Sequence, residues 1–402
     1  MRKSKIFWSG ILVGLLIAAG MLMLIFMGSS VYSLFTGKSV ASESLIDKDV
    51  QTKLEMLNSM MDKNFLEYSE TLNSTSRVEG MYKGLVSSLG DPYSEYFTEE
   101  EYNQELEDDS GVFGGIGVQI AENYETGQFY AEEFVGKHSP AQEAGMQQKD
   151  IFFKVDGLSV QGMTLSELVE HCRGEVDTTV ELVMLRGENE EEVSFKITRA
   201  KIESTSVTGQ MEEGTTGYIR IIEFAQNTPS QFQETLDELK EGGMDRMIID
   251  LRSNPGGDVT AVLEVADTIM DGGRIVYTKT KSGEERDYDA NDGGLDMPIV
   301  VLVNGFSASA AEILTGALKD HGLAVIMGTQ TFGKGIVQGV YPLNDGSAIK
   351  ITDRKYYTPS GNNIQGVGIE PDVTVEFDST AFDTDGTDNQ LDEAKKYIKN
   401  MK

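Results

Sequence analysis

The 402-residue chain holds one cysteine, Cys172, and three histidines, His138, His171 and His321. A single cysteine excludes an internal disulfide and a cysteine-rich zinc site. Its neighbours do not suggest a nucleophile, so Cys172 reads as buried filler. The histidines show no metal-ligand spacing, and no metal site is expected. They also leave little scope for a histidine base. His321 lies near the end of the helix expected after Ser309, roughly 18 Å away along it, which is beyond hydrogen-bond reach. A helix C-terminus, where the dipole favours such a residue, suits it better. Basic residues are scarce as well: 34 against 66 acidic ones, a formal net charge of −32. A chain this acidic is a poor general partner for nucleic acid, itself a polyanion, and none is expected. The charge chiefly confers solubility.

The length allows two or three domains. Arg2, Lys3 and Lys5 precede an apolar run from Ile6 to about Met27, long enough to cross a bilayer as a helix. The basic flank predicts a cytoplasmic N-terminus and an exported body. Ser39-Val40-Ala41 loosely fits a signal cleavage site but lies well beyond the apolar run, so an uncleaved anchor is preferred. The expectation is a cell-membrane protein, single-pass, with its body on the extracytoplasmic side. Residues 31–44 read as a polar tether. Val50, Leu54, Leu57 and Met61 recur at helical spacing, as do Met81, Leu85, Val86 and Leu89. Gly90-Asp91-Pro92-Tyr93-Ser94 then signals a turn and helix stop.

Chemistry concentrates between Asn304 and Gln338. Pro298-Ile299-Val300-Val301-Leu302-Val303 predicts a buried strand. Ala310, Ile313, Leu314, Ala317 and Leu318 form a helical stripe ending near Gly322. Ser309 therefore sits where a strand turns into a helix. Position alone fits two roles. One is an N-cap; the other is a nucleophile beside free backbone N–H groups that stabilise an oxyanion. Lys334, between Gly333 and Gly335, is a base only when neutral, and burial lowers its pKa toward that form. Gln338 neighbours Lys334 if the segment coils; in a fully extended segment the two stand about 13 Å apart. A Lys–Gln pair therefore predicts a coiled segment.

Upstream, Tyr218-Ile219-Arg220-Ile221 and Met247-Ile248-Ile249-Asp250-Leu251-Arg252 predict strands. Residues 231–240 and 258–270 predict helices. This alternation argues for an α/β core. Ser253-Asn254-Pro255-Gly256-Gly257 marks a strand-to-helix turn. Residues 275–296 read as a hairpin or surface loop. Lys350 is a rival base in principle, but it lies in an alternating strand without flanking glycines.

Taken together, Ser307-Ala308-Ser309-Ala310, Phe332-Gly333-Lys334-Gly335 and the Gly-Asp-Pro-Tyr-Ser and Asn-Pro-Gly-Gly segments resemble the carboxyl-terminal processing proteases. These are tail-specific, PDZ-containing serine peptidases of the S41 type. The resemblance spans roughly residues 45–375. It implies an α/β protease core (ClpP/crotonase-like) with an inserted PDZ domain, N-terminal helices and a single transmembrane anchor. The expected layout is a cytoplasmic tail (1–5), anchor (6–30), linker (31–44), helical region (45–107), PDZ domain (108–199), peptidase core (200–378) and C-terminal tail (379–402), which has room for a short helix.

The resemblance makes Ser309 the nucleophile, Lys334 the general base and Gln338 its orienting partner, with Ser307 structural. It assigns the oxyanion hole to the backbone N–H groups of Gly256 and Ala310, with Gly257 the near alternative to Gly256. For peptide binding by the PDZ domain it points to Gly115, Ile116, Gly117 and Val118, and to Leu165, Leu168 and Val169 on a flanking helix. It implies protein or peptide substrates recognised by their C-termini and no cofactor. The N-terminal helices serve dimerisation in the family, which makes a homodimer an expectation. Two other classes compete: a non-catalytic PDZ scaffold with an inactive core, and an acyl-CoA enzyme on a related core. Retention of both Ser309 and Lys334 argues against the scaffold. The export signal argues against the acyl-CoA enzyme.

Overall fold

The computed structural model describes residues 45–65 and 74–401, apart from 125, 137 and 188. The expected tail, anchor and linker, residues 1–44, lie outside the described residues. Among those described, no helix is long and apolar enough to cross a membrane. The chain forms two compact units that divide after Arg77. In the first, a helix spans Lys48–Asn64, capped by Asp47, whose carboxylate accepts the N–H groups of Asp49 and Val50. It has no buried side chains.

The second unit is built around a six-stranded sheet. Its strands are ordered Val207–Met211, Thr216–Ile221, Arg246–Asp250, Ile299–Val303, Val325–Gly328 and Val373–Thr374. The first pair is antiparallel and the rest are parallel. Parallel strands covered on both faces need apolar residues at successive positions, and Ile299–Val303 is buried at all five. Alternate side chains serve opposite faces. Ile249, Val301 and Ile326 join the core formed with Phe232, Val265 and Leu314, from helices Thr228–Glu241, Val259–Ile269 and Ala310–Asp320. Ile248, Val300, Leu302 and Met327 meet Ala394 and Ile398 of helix Asn389–Ile398 on the other face.

A second, antiparallel sheet packs over the helices with Ile275, Val276 and Tyr356 in the same core. It contains the hairpin Gly273–Thr280/Glu285–Ala290, the long strand Ala348–Tyr357, and Ile336–Pro342. A short strand, Glu95–Phe97, joins it by pairing with Ala348 to Lys350; periodicity gave no sign of that strand. Between these parts the chain makes a separate small domain. Strands Val118–Asn123, Gln128–Phe134, Ile151–Val155, Thr179–Arg186 and Glu191–Thr198 form an antiparallel sheet in that order. Helix Leu165–Cys172 closes its core. Cys172 is buried there, with its thiol pushed up to about 12 by burial. Val112–Gly115 and Ala200–Glu203, the two chain crossings, pair with each other as an antiparallel ribbon.

Candidate active site

Strand Ile299–Val303 delivers the chain to a sharp turn that ends at Ser309, the residue preceding helix Ala310–Asp320. Ser309 has φ 53° and ψ −113°, a conformation that costs a non-glycine residue on the order of 1–3 kcal/mol. The surroundings hold it there. Ser307, fully buried, donates its hydroxyl to Leu251 O at 2.7 Å and accepts the Asn304 N–H at 2.9 Å. It is a brace, in agreement with the structural role expected of it. Ala308 N–H donates to Asn254 O at 2.9 Å, and Phe332 N–H to Ser307 O at 3.0 Å.

Glu312 ties the two halves of the site together, and sequence reasoning missed it. It is fully buried in the first turn of the Ser309 helix. One carboxylate oxygen accepts the N–H groups of Ser309 and Lys334, both at 2.9 Å. The other accepts the Thr331 hydroxyl at 2.6 Å and Gly333 N–H at 2.7 Å. The signal was present as Ser309-x-x-Glu312, a capping-box spacing.

The Asn254–Gly257 turn approaches from the neighbouring strand. A methyl group at Gly256 would lie 2.7 Å from Ser309 Cβ and 3.0 Å from Ala310 N, so only glycine fits. Gly256 N–H, expected to face an oxyanion, instead donates to Asn254 Oδ1 at 2.8 Å. Among the described residues, the N–H groups of Gly257 and Ala310 donate to no protein group. Arg252 holds the start of the turn. Its guanidinium bridges Asp250 and Asp388, and Tyr218 Oη donates to Asp250 at 2.7 Å.

Ser309, Lys334, Gln338 and Gly257 line one cavity of about 460 Å³, with Val259, Leu263, Val276, Ile313 and Ile336 forming apolar wall. A larger hollow of about 610 Å³, between the Thr228–Glu241 helix and the small domain, contains none of these groups. Burial pushes the Lys334 ammonium below the ordinary lysine range, the nearby Lys350 charge adds to this, and Asp91 opposes it. Such a lysine is more readily neutral than an exposed one. The coiled segment expected for a Lys–Gln pair is not found. Gln338 lies in strand Ile336–Pro342 beside a β-bulge, and its amide donates to Thr352 Oγ1 at 3.0 Å. Strand pairing with Thr352 prevails over a helical turn there. Lys350, the rival base, is ion-paired with Glu105.

In the small domain, Val118 begins a sheet-edge strand, preceded by the Gly115-Ile116-Gly117 approach. Ile116 is buried, and its carbonyl accepts Ala141 N–H. Helix Leu165–Cys172 packs beside this strand. Leu165 is partly exposed and Val169 half-buried, whereas Leu168 is fully buried within the core. Leu168 therefore serves packing and presents no groove surface.

Ser309, strained at a strand–helix turn, and the half-buried Lys334 thus line the same cavity. The chain belongs to peptidase family S41, whose family model matches residues 215–375, and it is a serine protease. The Staphylococcus haemolyticus (strain JCSC1435) protein named "Probable CtpA-like serine protease" is 36% identical over 344 residues, 84% of this chain and 68% of that protein. Among solved structures, one assigned to the S41 proteases from Bacteroides fragilis NCTC 9343 shares the fold. Its TM-score is 0.50 at 14% identity, over 90% of this chain and 100% of that one. The photosystem II D1 C-terminal processing protease is 27% identical, with a TM-score of 0.47 over 82% of this chain and 94% of that one. Family membership sets aside the scaffold and acyl-CoA expectations.

Proposed function

We propose that this protease is a membrane-anchored endopeptidase that captures protein C-termini with a PDZ-type small domain and cuts with Ser309, Lys334 and Gln338. The observation that carries the catalytic part is the shared cavity of Ser309 and Lys334, with the lysine held toward its neutral form. Neutral Lys334 accepts the Ser309 hydroxyl proton as Oγ attacks the scissile carbonyl. The developing oxyanion is held by backbone N–H groups of Ala310 and Gly257. The Gly257 N–H is preferred because that of Gly256 is engaged by Asn254. Lys334 then passes its proton to the leaving amine. The resulting acyl-enzyme is released by water that gives its proton to Lys334, which returns it to the leaving Ser309 Oγ and is neutral again. Gln338 lines the same cavity and is the third member of the proposed site.

The small domain supports C-terminal recognition in two ways. Its Val118–Asn123 strand lies at the sheet edge with helix Leu165–Cys172 packed beside it, an arrangement that would accept an added peptide strand. The Gly115-Ile116-Gly117 run before that strand would offer backbone N–H groups to a terminal carboxylate. The basic flank and apolar run at residues 6–30 support the anchor, with the catalytic body outside.

The test is cleavage of an unfolded protein with an apolar C-terminus by the full chain in detergent. Wild type is expected to cut, with Ser309→Ala and Lys334→Ala each reducing the rate by at least a thousandfold. Ser307→Ala is expected to cut while unfolding more readily. Wild-type cleavage by Ser309→Ala would refute the nucleophile assignment.

A further inference from the structure

The walls of the lysine site are not all supplied by the segment that the family model matches, residues 215–375. Lys334 Nζ lies over the face of the Tyr93 ring, 4.5 Å from its centroid. Tyr93 belongs to the Gly90–Ser94 turn, more than a hundred residues before the matched segment that begins at residue 215. The turn is well built. Tyr93 N–H donates to Asp91 Oδ1 at 3.2 Å, and the Ser94 hydroxyl to Asp91 Oδ2 at 2.6 Å. Ser94 Oγ in turn accepts the Thr352 N–H at 3.1 Å. Thr352 is the residue that holds the Gln338 amide. The strand that follows, Glu95–Phe97, fastens the turn to the sheet through Ala348–Lys350. One turn thus touches the lysine directly and reaches its glutamine through a single intervening residue.

We infer that the Gly90–Ser94 turn is a positioning element for the catalytic base, with the Tyr93 ring as the seat of the Lys334 ammonium. The inference rests on the reading of Lys334 as base. An aromatic face attracts an ammonium and fixes where it sits. The Asp91 carboxylate adds to the attraction, since its charge favours the protonated lysine. The same pair is visible from the other side. Burial pushes the Asp91 carboxyl up, but hydrogen bonds from Ser94 and Thr352, together with the Lys334 charge, leave it below the ordinary range. The other charged groups facing the lysine are Lys350, which repels it, and Asp109, Asp258, Arg286 and Arg354 around the cavity. Below the lysine's pKa the ring holds the protonated side chain in its resting place. When Lys334 loses its proton the attraction to the ring lapses, and the amine is released toward Ser309. Tyr93 is therefore a positioning residue that acts through Lys334 and needs no contact with substrate.

The test compares full-length wild type, Tyr93→Phe, Tyr93→Leu and Asp91→Asn in detergent, with Ser309→Ala as control. Two readouts are followed across pH: kcat/KM on a peptide, and the rate at which a fluorophosphonate labels the protein. Activity needs neutral lysine, so it rises with pH through the lysine's pKa. Tyr93→Leu removes the group that stabilises the ammonium, which lowers that pKa. Its acid limb is expected to move down by about half a pH unit, with the plateau reduced at least tenfold. Asp91→Asn is expected to move the limb the same way, and Tyr93→Phe to keep both limb and plateau. A purely structural turn would lower the plateau and leave the limb in place. Wild-type limbs in Tyr93→Leu and Asp91→Asn would overturn the inference. So would a Tyr93→Phe variant that behaves like Tyr93→Leu. If thermal unfolding shows Tyr93→Leu to be unfolded, the Asp91→Asn limb decides. Cleavage by Ser309→Ala at the wild-type rate identifies failure of the underlying catalytic reading; loss of cleavage there with unshifted limbs identifies failure of the present inference alone.

Discussion

Glu312 shows how much a single side chain contributes to this site. Four donors converge on one buried carboxylate: from the serine, from the lysine backbone, and from Thr331 and Gly333 between them. Glu312→Gln keeps the shape but turns an amide N–H toward backbone N–H groups. Roughly 3 kcal/mol of stability should be lost, from charged hydrogen bonds removed and donors left unpaired. Thermal unfolding and peptide cleavage check this, with cleavage expected to fall at least a hundredfold. Unchanged cleavage would show that the two loops hold themselves. The place of Ser309 at a strand–helix junction was legible in the sequence, because an apolar run leads into it and a helical stripe leaves it; the roles of Ser309, Lys334 and Ser307 came from the family resemblance. Glu312 was not legible, because a glutamate in a first helical turn is ordinary until its partners are known. The Gly256 assignment failed for a similar reason: the sequence does not reveal that Asn254 folds back to take that N–H.

At the scale of elements, periodicity located the core strands and helices well. The run at Ile299–Val303 was legible because a strand covered on both faces is apolar throughout. The Lys334–Gln338 segment misled, since glycine spacing does not distinguish a coil from a loop that enters a strand. Helix Asn389–Ile398 was legible as a helix but not as a wall of the core. Only Leu391, Ala394 and Ile398 face the sheet, too few to stand out in a polar stretch. Its first turn is clamped to the catalytic side of the sheet by Asp388. That carboxylate binds Arg252 and caps the helix through Leu391 N–H at 3.0 Å. Asp388→Ala should cost roughly 2 kcal/mol through loss of the cap and the paired charge. Chemical denaturation is the check, and a midpoint equal to wild type would show the clamp to be dispensable.

At the scale of the whole molecule, the small domain is joined to the peptidase core by a two-stranded ribbon. Asn227 fastens both crossings, its amide donating to Gly111 O and Ser204 O, each at 3.1 Å. Arg173, at the end of the Leu165–Cys172 helix, pairs with Asp108 at 2.7 Å and stacks over Phe113. The small domain and the core are thus tied together by side-chain contacts beside the ribbon. If the small domain reads a terminal carboxylate, amidating the C-terminus of a bound peptide should weaken its affinity at least tenfold, as measured by calorimetry on the Ser309→Ala protein. Equal affinity for acid and amide would remove C-terminal recognition from the account. The ribbon was not legible in the sequence, because its pairing joins residues nearly ninety positions apart.

The central claim is that Ser309 is the nucleophile and Lys334 the group that activates it. The most direct measurement is the site of covalent labelling by a fluorophosphonate, mapped by peptide mass spectrometry in wild type and Lys334→Ala at one pH. The account predicts a single adduct on Ser309 in wild type and at least a hundredfold slower labelling in Lys334→Ala, with both proteins folded. An adduct on Ser307, or equal labelling of Ser309 in both proteins, would contradict it.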